Sequence, residues 1–203
     1  MTTGIRVIIT KAGDVSAITT EPMHAVEPDE GEVRLKVAYA GINFADLLMR
    51  LGFYQPRPPF PFTPGYEVSG VVDALGKGVT GLEVGQRVVA AMRTGGQASF
   101  VNAPVDRVIP LPDGFSLQKA AATPVTYMTA HHMLHHLGHL QPDDKVLIHG
   151  GAGGVGTAAL QLCKWAGVSK VWATSSKSKH GSIERYGARA VSYTHLTLPT
   201  TYH

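Results

Sequence analysis

The sequence predicts a mixed α/β chain of two successive units, the first rich in strands and the second alternating strand with helix. Three observations carry that reading. Short runs of alternating apolar and polar residues, separated by Gly-rich turns, fill the first half of the chain. From Ser116 onward helical and strand patterns take turns. A glycine-rich turn, His149-Gly150-Gly151-Ala152-Gly153-Gly154-Val155-Gly156, lies between an apolar run and an amphipathic one. The units are placed at residues 1–115 and 116–191, with 192–203 as a separate tail.

In chain order, Ile5–Thr10 is a short apolar strand, and Glu32–Ala40 alternates Val33, Leu35, Val37 and Tyr39 against polar partners. Asn43–Leu51 spaces Phe44, Leu47, Leu48 and Leu51 as a helix does, and Gly52 stops it. Pro56–Pro61 is read as an extended surface loop, because proline fixes φ and lacks a donor. Val68–Leu75, Arg87–Ala91 and Ala98–Val101 are further strands. In the second part, Ser116–Leu137 has long helical periodicity, with Ser116 as N-cap, Gly138 as stop and Pro124 as an interruption. Strands at Lys145–His149 and Lys170–Thr174 alternate with helices at Val155–Gly167 and Ser178–Tyr186. That order argues a parallel sheet with right-handed crossovers.

Composition narrows the function. The 203 residues are 44% hydrophobic and 16% charged, which excludes a disordered chain. The net charge of +3 is scattered and builds no basic stripe, so nucleic acid is not an expected partner. A single cysteine, Cys163, excludes an intrachain disulfide and a Cys-rich zinc cage. The start lacks the pattern of a secretory signal, and no stretch approaches the ~20 apolar residues of a membrane span. A reducing, cytoplasmic compartment is expected.

Gly151, Gly153 and Gly156 form G-x-G-x-x-G, with Gly154 and Val155 between them. The first glycine permits the tight turn and the second lets backbone approach a pyrophosphate, while the third lets strand and helix pack closely. The anion then meets free N–H groups at a helix N-terminus. A site for NADH places an acid on the ribose about 20 residues further on. Here Ala173–His180 contains none and offers Ser176 and Lys179, which suit a 2′-phosphate, so the expected cofactor is NADPH.

Through these motifs the chain resembles the medium-chain dehydrogenase/reductase superfamily over about residues 4–190. Gly41-Ile42-Asn43-Phe44-Ala45-Asp46, Thr63–Val72, Gly85-Gln86-Arg87-Val88 and Ala158–Leu162 match the quinone oxidoreductase branch in order and spacing. Ser178-Lys179-His180 and Asn43–Asp46 look most like the vesicle amine transport protein subgroup. The resemblance implies a GroES-like first domain and a Rossmann second domain. It also implies NADPH-dependent hydride transfer to a small quinone or other activated enone, and a homodimeric parent. A nucleotide-binding scaffold in vesicle or membrane traffic, with little catalysis, is the second reading.

Zinc-dependent relatives carry Cys where this chain has Asn43, and His where it has Tyr66. Neither residue present is a usual zinc ligand, so the zinc-free branch is expected and no metal site is assigned. By resemblance, Asn43 lies near the nicotinamide and substrate, and Tyr54 lies at the mouth of the same cleft. Asn43 is equally suited to cap its helix, and Tyr54 to packing. Asp46 is read as structural. Thr126 and Thr129 match the segment that faces the nicotinamide, Thr129 being assigned to the cofactor, although side-chain bonding within a helix also suits both.

His131, His135 and His139 are spaced four apart and are expected on one helix face, a geometry that offers two imidazoles but no nearby carboxylate before Asp143. After Gly187-Ala188 the match ends. Ser192–His203 resembles translated sequencing adaptor, whereas the family continues with the remaining Rossmann strands. A truncated chain without turnover is the expectation.

Overall fold

The computed structural model describes residues 3–55 and 57–192. The tail expected at 192–203 therefore lies outside the described residues apart from Ser192, as does Pro56 of the proline loop. The chain divides into two compact units, residues 1–125 and 126–203.

In the first unit, β1 (Thr3–Ile9) and β2 (Ile18–His24) form an antiparallel pair. A five-stranded antiparallel sheet follows, made of β3 (Glu32–Ala40), β4 (Glu67–Leu75), β5 (Arg87–Ala91), β6 (Phe100–Pro104) and β7 (Val108–Pro110). Its order is β6-β3-β4-β5-β7. The alternation read in Glu32–Ala40 explains the core: Val33 and Leu35 are fully buried and meet Val68, Val72, Val88, Ala90 and Val101. The opposite face of β4 is buried as well, so Glu67 and Ser69 are inaccessible despite their polarity. Period two places both on that face, away from Val68 and Val72.

Ser69 meets its partner there. Its hydroxyl donates to the Leu117 carbonyl at 2.6 Å, which ties α2 (Leu117–Ala120) to β4. This short helix belongs to the first unit for that reason, and the division falls later than 115/116. Between β3 and β4 runs α1 (Phe44–Leu51), capped by Asn43 and ended by Gly52, with Met49 buried against Ile9 and Phe62.

The stretch 116–137 is not one helix. It comprises α2, then α3 (Pro124–His131), then a π-helical segment His132–Leu137. Pro124 starts α3, as suits a residue without a backbone donor. In the second unit, β8 (Lys145–Ile148), β9 (Lys170–Ser175) and β10 (Arg189–Ser192) make a parallel sheet in the order β10-β9-β8. Helix α4 (Gly154–Trp165) follows β8, and a 3-10 turn at Lys177–Lys179 leads from β9 into α5 (His180–Glu184). Leu160 and Cys163 of α4 pack with Val171, Ala173 and Ile183.

Candidate active-site and cofactor-binding residues

The first unit gathers polar residues where α1 begins and β4 begins. Asn43 is the N-cap of α1, and its own N–H donates to Asp46 Oδ2 at 2.8 Å. The second Asp46 oxygen accepts the Gly65 N–H at 3.0 Å, so this carboxylate joins the helix start to the segment entering β4. Asp46 is thus structural, as its place in the sequence suggested. Burial raises its pKa above the ordinary 3.8, against the two backbone donors.

The Asn43 side chain has a further partner. Its Nδ2 donates to Glu67 Oε1 at 2.9 Å, and Glu67 Oε2 accepts the Val125 N–H at 2.9 Å. Glu67 is 2% exposed. Burial pushes its pKa up, with the Asp46 charge acting the same way, while Val125 and Asn43 pull it down. Sequence reasoning passed over Glu67, although a lone carboxylate in the run Tyr66–Val72 was a visible signal.

Tyr54 and Tyr66 pack on the cluster of Met49, Ile9 and Phe62. The Tyr66 hydroxyl lies 3.8 Å from Met49 Sδ. Burial first, then the Tyr54 phenol and the Asp46 charge, hold the Tyr66 phenol up to about 12. Tyr54 is half-buried and keeps the phenol through which a donor role was expected.

The second unit builds its site on the glycine turn. Gly151 N–H donates to the Thr174 carbonyl at 2.9 Å and Gly150 N–H to the Thr174 hydroxyl at 3.1 Å, so the loop is tied to β9. Gly153 N–H returns to the Gly150 carbonyl at 2.8 Å and Gly153 caps α4. The first turn of a helix leaves its amides without intrahelical acceptors, here those of Gly154, Val155 and Gly156. A Cβ at Gly156 would strike the Gly150 carbonyl and Gly151 Cα. The cradle therefore requires glycine at that position, and its free amides suit an anionic phosphate group.

A cavity of about 520 Å³ opens beside the turn, lined by Gly153, Gly154, Val155 and His149 together with apolar Met133 and Leu147. His149 Nδ1 lies 3.5 Å from the Thr174 hydroxyl. Neither His149 nor Thr174 was singled out from sequence. Thr126 packs against Gly154, its Cγ2 3.0 Å from where a Cβ would stand, whereas Thr129 is exposed on α3. Ser176 and Lys179 are exposed and follow β9 directly, with Ser176 Oγ 3.3 Å from Ser178 Oγ. Because β8 and β9 are adjacent and parallel, their carboxyl ends bring the glycine turn and the Ser176–Lys179 segment to one edge.

Of the three histidines expected on one helix face, His131 and His135 meet there and His139 does not. His139 leaves the helix with φ 49°, and the rings pair as His131 with His135 and His132 with His136, centroids 4.7 and 4.8 Å apart. Among the described residues no three His, Cys, Asp or Glu gather as metal ligands. Also among them, no helix is long and apolar enough to cross a membrane.

Comparison with known proteins adds the family context. The Alcohol dehydrogenase GroES-like domain matches residues 29–113. The synaptic vesicle membrane protein VAT-1 homolog of Homo sapiens is 38% identical over 190 residues, 94% of this chain and 46% of that protein. The solved human VAT-1 homolog-like protein superposes with a TM-score of 0.89 at 35% identity, over 93% of this chain and 61% of that one. The Escherichia coli quinone oxidoreductase, solved with NADPH, gives 0.88 at 31% identity over 95% and 60%. The chain thus spans between 32% and 46% of the length of the VAT-1 homologues it matches.

Proposed function

The chain belongs to the quinone oxidoreductase branch of the medium-chain dehydrogenase/reductase superfamily, close to the VAT-1 homologues, and from that premise we propose that it serves NADPH-dependent reduction of quinones or other activated enones. The observation that carries this reading is the glycine cradle, whose close approach excludes a side chain at Gly156 and leaves the amides of Gly154, Val155 and Gly156 for a pyrophosphate. Gly151 and Gly153 shape the turn. Ser176 and Lys179 are the groups for the 2′-phosphate, Lys179 supplying charge and Ser176 a hydroxyl. Thr129, like Thr126, is assigned to the nicotinamide end through its motif.

NADPH, when bound, supplies the hydride. The residues of this chain do the rest by hydrogen bonding. Reduction of a conjugated carbonyl builds negative charge on its oxygen, and a donor placed there stabilises it without a Lewis acid. Asn43 keeps one Nδ2 hydrogen beyond the one given to Glu67. Tyr54 offers a phenolic hydrogen. Both are proposed as donors to that oxygen.

The test is direct. NADPH is titrated into the 203-residue chain by fluorescence, and NADPH oxidation is then followed with 1,4-benzoquinone and with cyclohexenone. NADPH binding that Gly156→Val abolishes supports the assignment. Absence of binding by the folded wild-type chain overturns it. Oxidation that either acceptor accelerates identifies the acceptor class.

A further inference from the structure

Glu67 is an expensive residue for its position. It is 2% exposed, and the charge that acts on it from α1, that of Asp46, has its own sign. Buried carboxylates are ordinarily paired with cations, yet the partners here are two neutral N–H donors, Asn43 Nδ2 and Val125 N, each at 2.9 Å. Both oxygens accept, an arrangement that suits the ionised form, which has no proton of its own to place. The group is also confined. Gly41 donates its N–H to the Glu67 carbonyl at 3.0 Å, and a Cβ there would strike Glu67 Oε1 and Cγ as well as the Ala121 carbonyl.

We propose that Glu67 is a positioning residue, whose carboxylate fixes which way the Asn43 amide faces and thereby keeps the second Nδ2 hydrogen as the donor for a substrate oxygen. This inference rests on the reductase reading. An asparagine amide presents nearly the same shape when flipped, so packing alone does not choose its orientation. The acceptor at Glu67 Oε1 does choose: a flipped amide would set Oδ1 against a carboxylate oxygen. The capping box adds a second constraint, because Asp46 accepts the Asn43 backbone N–H and holds the residue at the start of α1. Loss of the proton acceptor at Glu67 therefore changes the polarity that Asn43 offers without changing the backbone around it.

Glu67→Gln inverts that polarity at nearly constant shape. Its carbonyl can still accept from Val125, and its amide then donates to Asn43 Oδ1 after a flip. The experiment uses the ¹⁵N-labelled 203-residue chain with NADPH and reads the Asn43 side-chain amide resonances against pH, with cyclohexenone as the probe. In the wild type these resonances report the Glu67 titration together with that of Asp46 beside the Asn43 N–H, and Glu67→Gln removes the first, leaves the second and shifts the resonances at neutral pH. Cyclohexenone affinity falls about tenfold, the size of one lost hydrogen bond near 1.4 kcal/mol. Asn43→Asp/Glu67→Gln restores an acceptor–donor pair but not the outward donor, so its melting temperature recovers while its affinity does not. Unchanged Asn43 resonances in Glu67→Gln overturn the proposal, as does wild-type enone affinity in the folded variant. Resonances that track Glu67 in a chain without enone affinity uphold the positioning and overturn the substrate reading.

Discussion

The Thr174 hydroxyl accepts the backbone N–H of Gly150 at 3.1 Å, fastening the glycine turn to the strand beside it. Thr174 is fully buried, so its oxygen has no access to water as an alternative partner. Thr174→Val keeps the shape and removes the acceptor, which leaves a backbone donor without its partner. A loss of about 1–3 kcal/mol is expected. Urea unfolding followed by a fluorophore in the second unit measures it, and an unchanged midpoint would show that the turn holds itself.

Lys179 is exposed just beyond β9, on the edge shared with the glycine turn. Its replacement by alanine is expected to weaken NADPH about tenfold or more, as bonds to charged groups are typically ~1.5–3 kcal/mol. NADH lacks the 2′-phosphate and should be nearly unaffected. Equal weakening of both cofactors in parallel titrations would sink the assignment.

Burial raises the Asp46 pKa above 3.8, which fixes the sign of a pH effect. Between the unfolded value and the raised folded value the native state binds more protons, so this group's contribution to stability falls as pH rises through that window. Asp46→Asn removes the titration. The stability of the wild type relative to this variant should therefore be greater at about pH 4 than at about pH 7. Denaturant midpoints at both values test this, and an opposite slope would show that the two backbone donors outweigh burial.

Zinc should be substoichiometric in tag-free protein, and a chelator should leave the melting temperature unchanged. The chemistry of Asn43 and Tyr66 explains why: one amide is committed to Glu67, and the other group is a phenol held protonated up to about 12. One tightly held equivalent, with unfolding on removal, would instead assign a metal to this chain.

The sequence displayed those elements that repeat a simple period. Glu32–Ala40 was legible because Val33 and Leu35 enter the core in alternation, and Arg87–Ala91 because it carries a short apolar run, Val88 to Ala90, that is buried throughout. Strand β2 was not, since Ile18–His24 is almost wholly exposed, contains Pro22 and, among the described residues, pairs only with β1. Strands β7 and β10 are three and four residues long, too short for a period to show. The glycine turn was legible as a motif, yet its attachment to Thr174 depends on β9 lying beside β8. Glu67 was visible as a lone carboxylate, but its partners were not: only the fold brings Asn43 and Val125 to a residue so far from each in sequence.

The π-helical stretch His132–Leu137 carries a consequence for chain length. Gly138 N–H reaches back to the Met133 carbonyl, five residues away, where an α-turn would span four. Each such turn accommodates one residue more than its neighbours, so the segment absorbs a single-residue insertion without breaking the helix on its N-terminal side. A variant of this chain with one of these residues deleted is therefore expected to keep Pro124–His131 helical and to replace the wider turn by an α-turn.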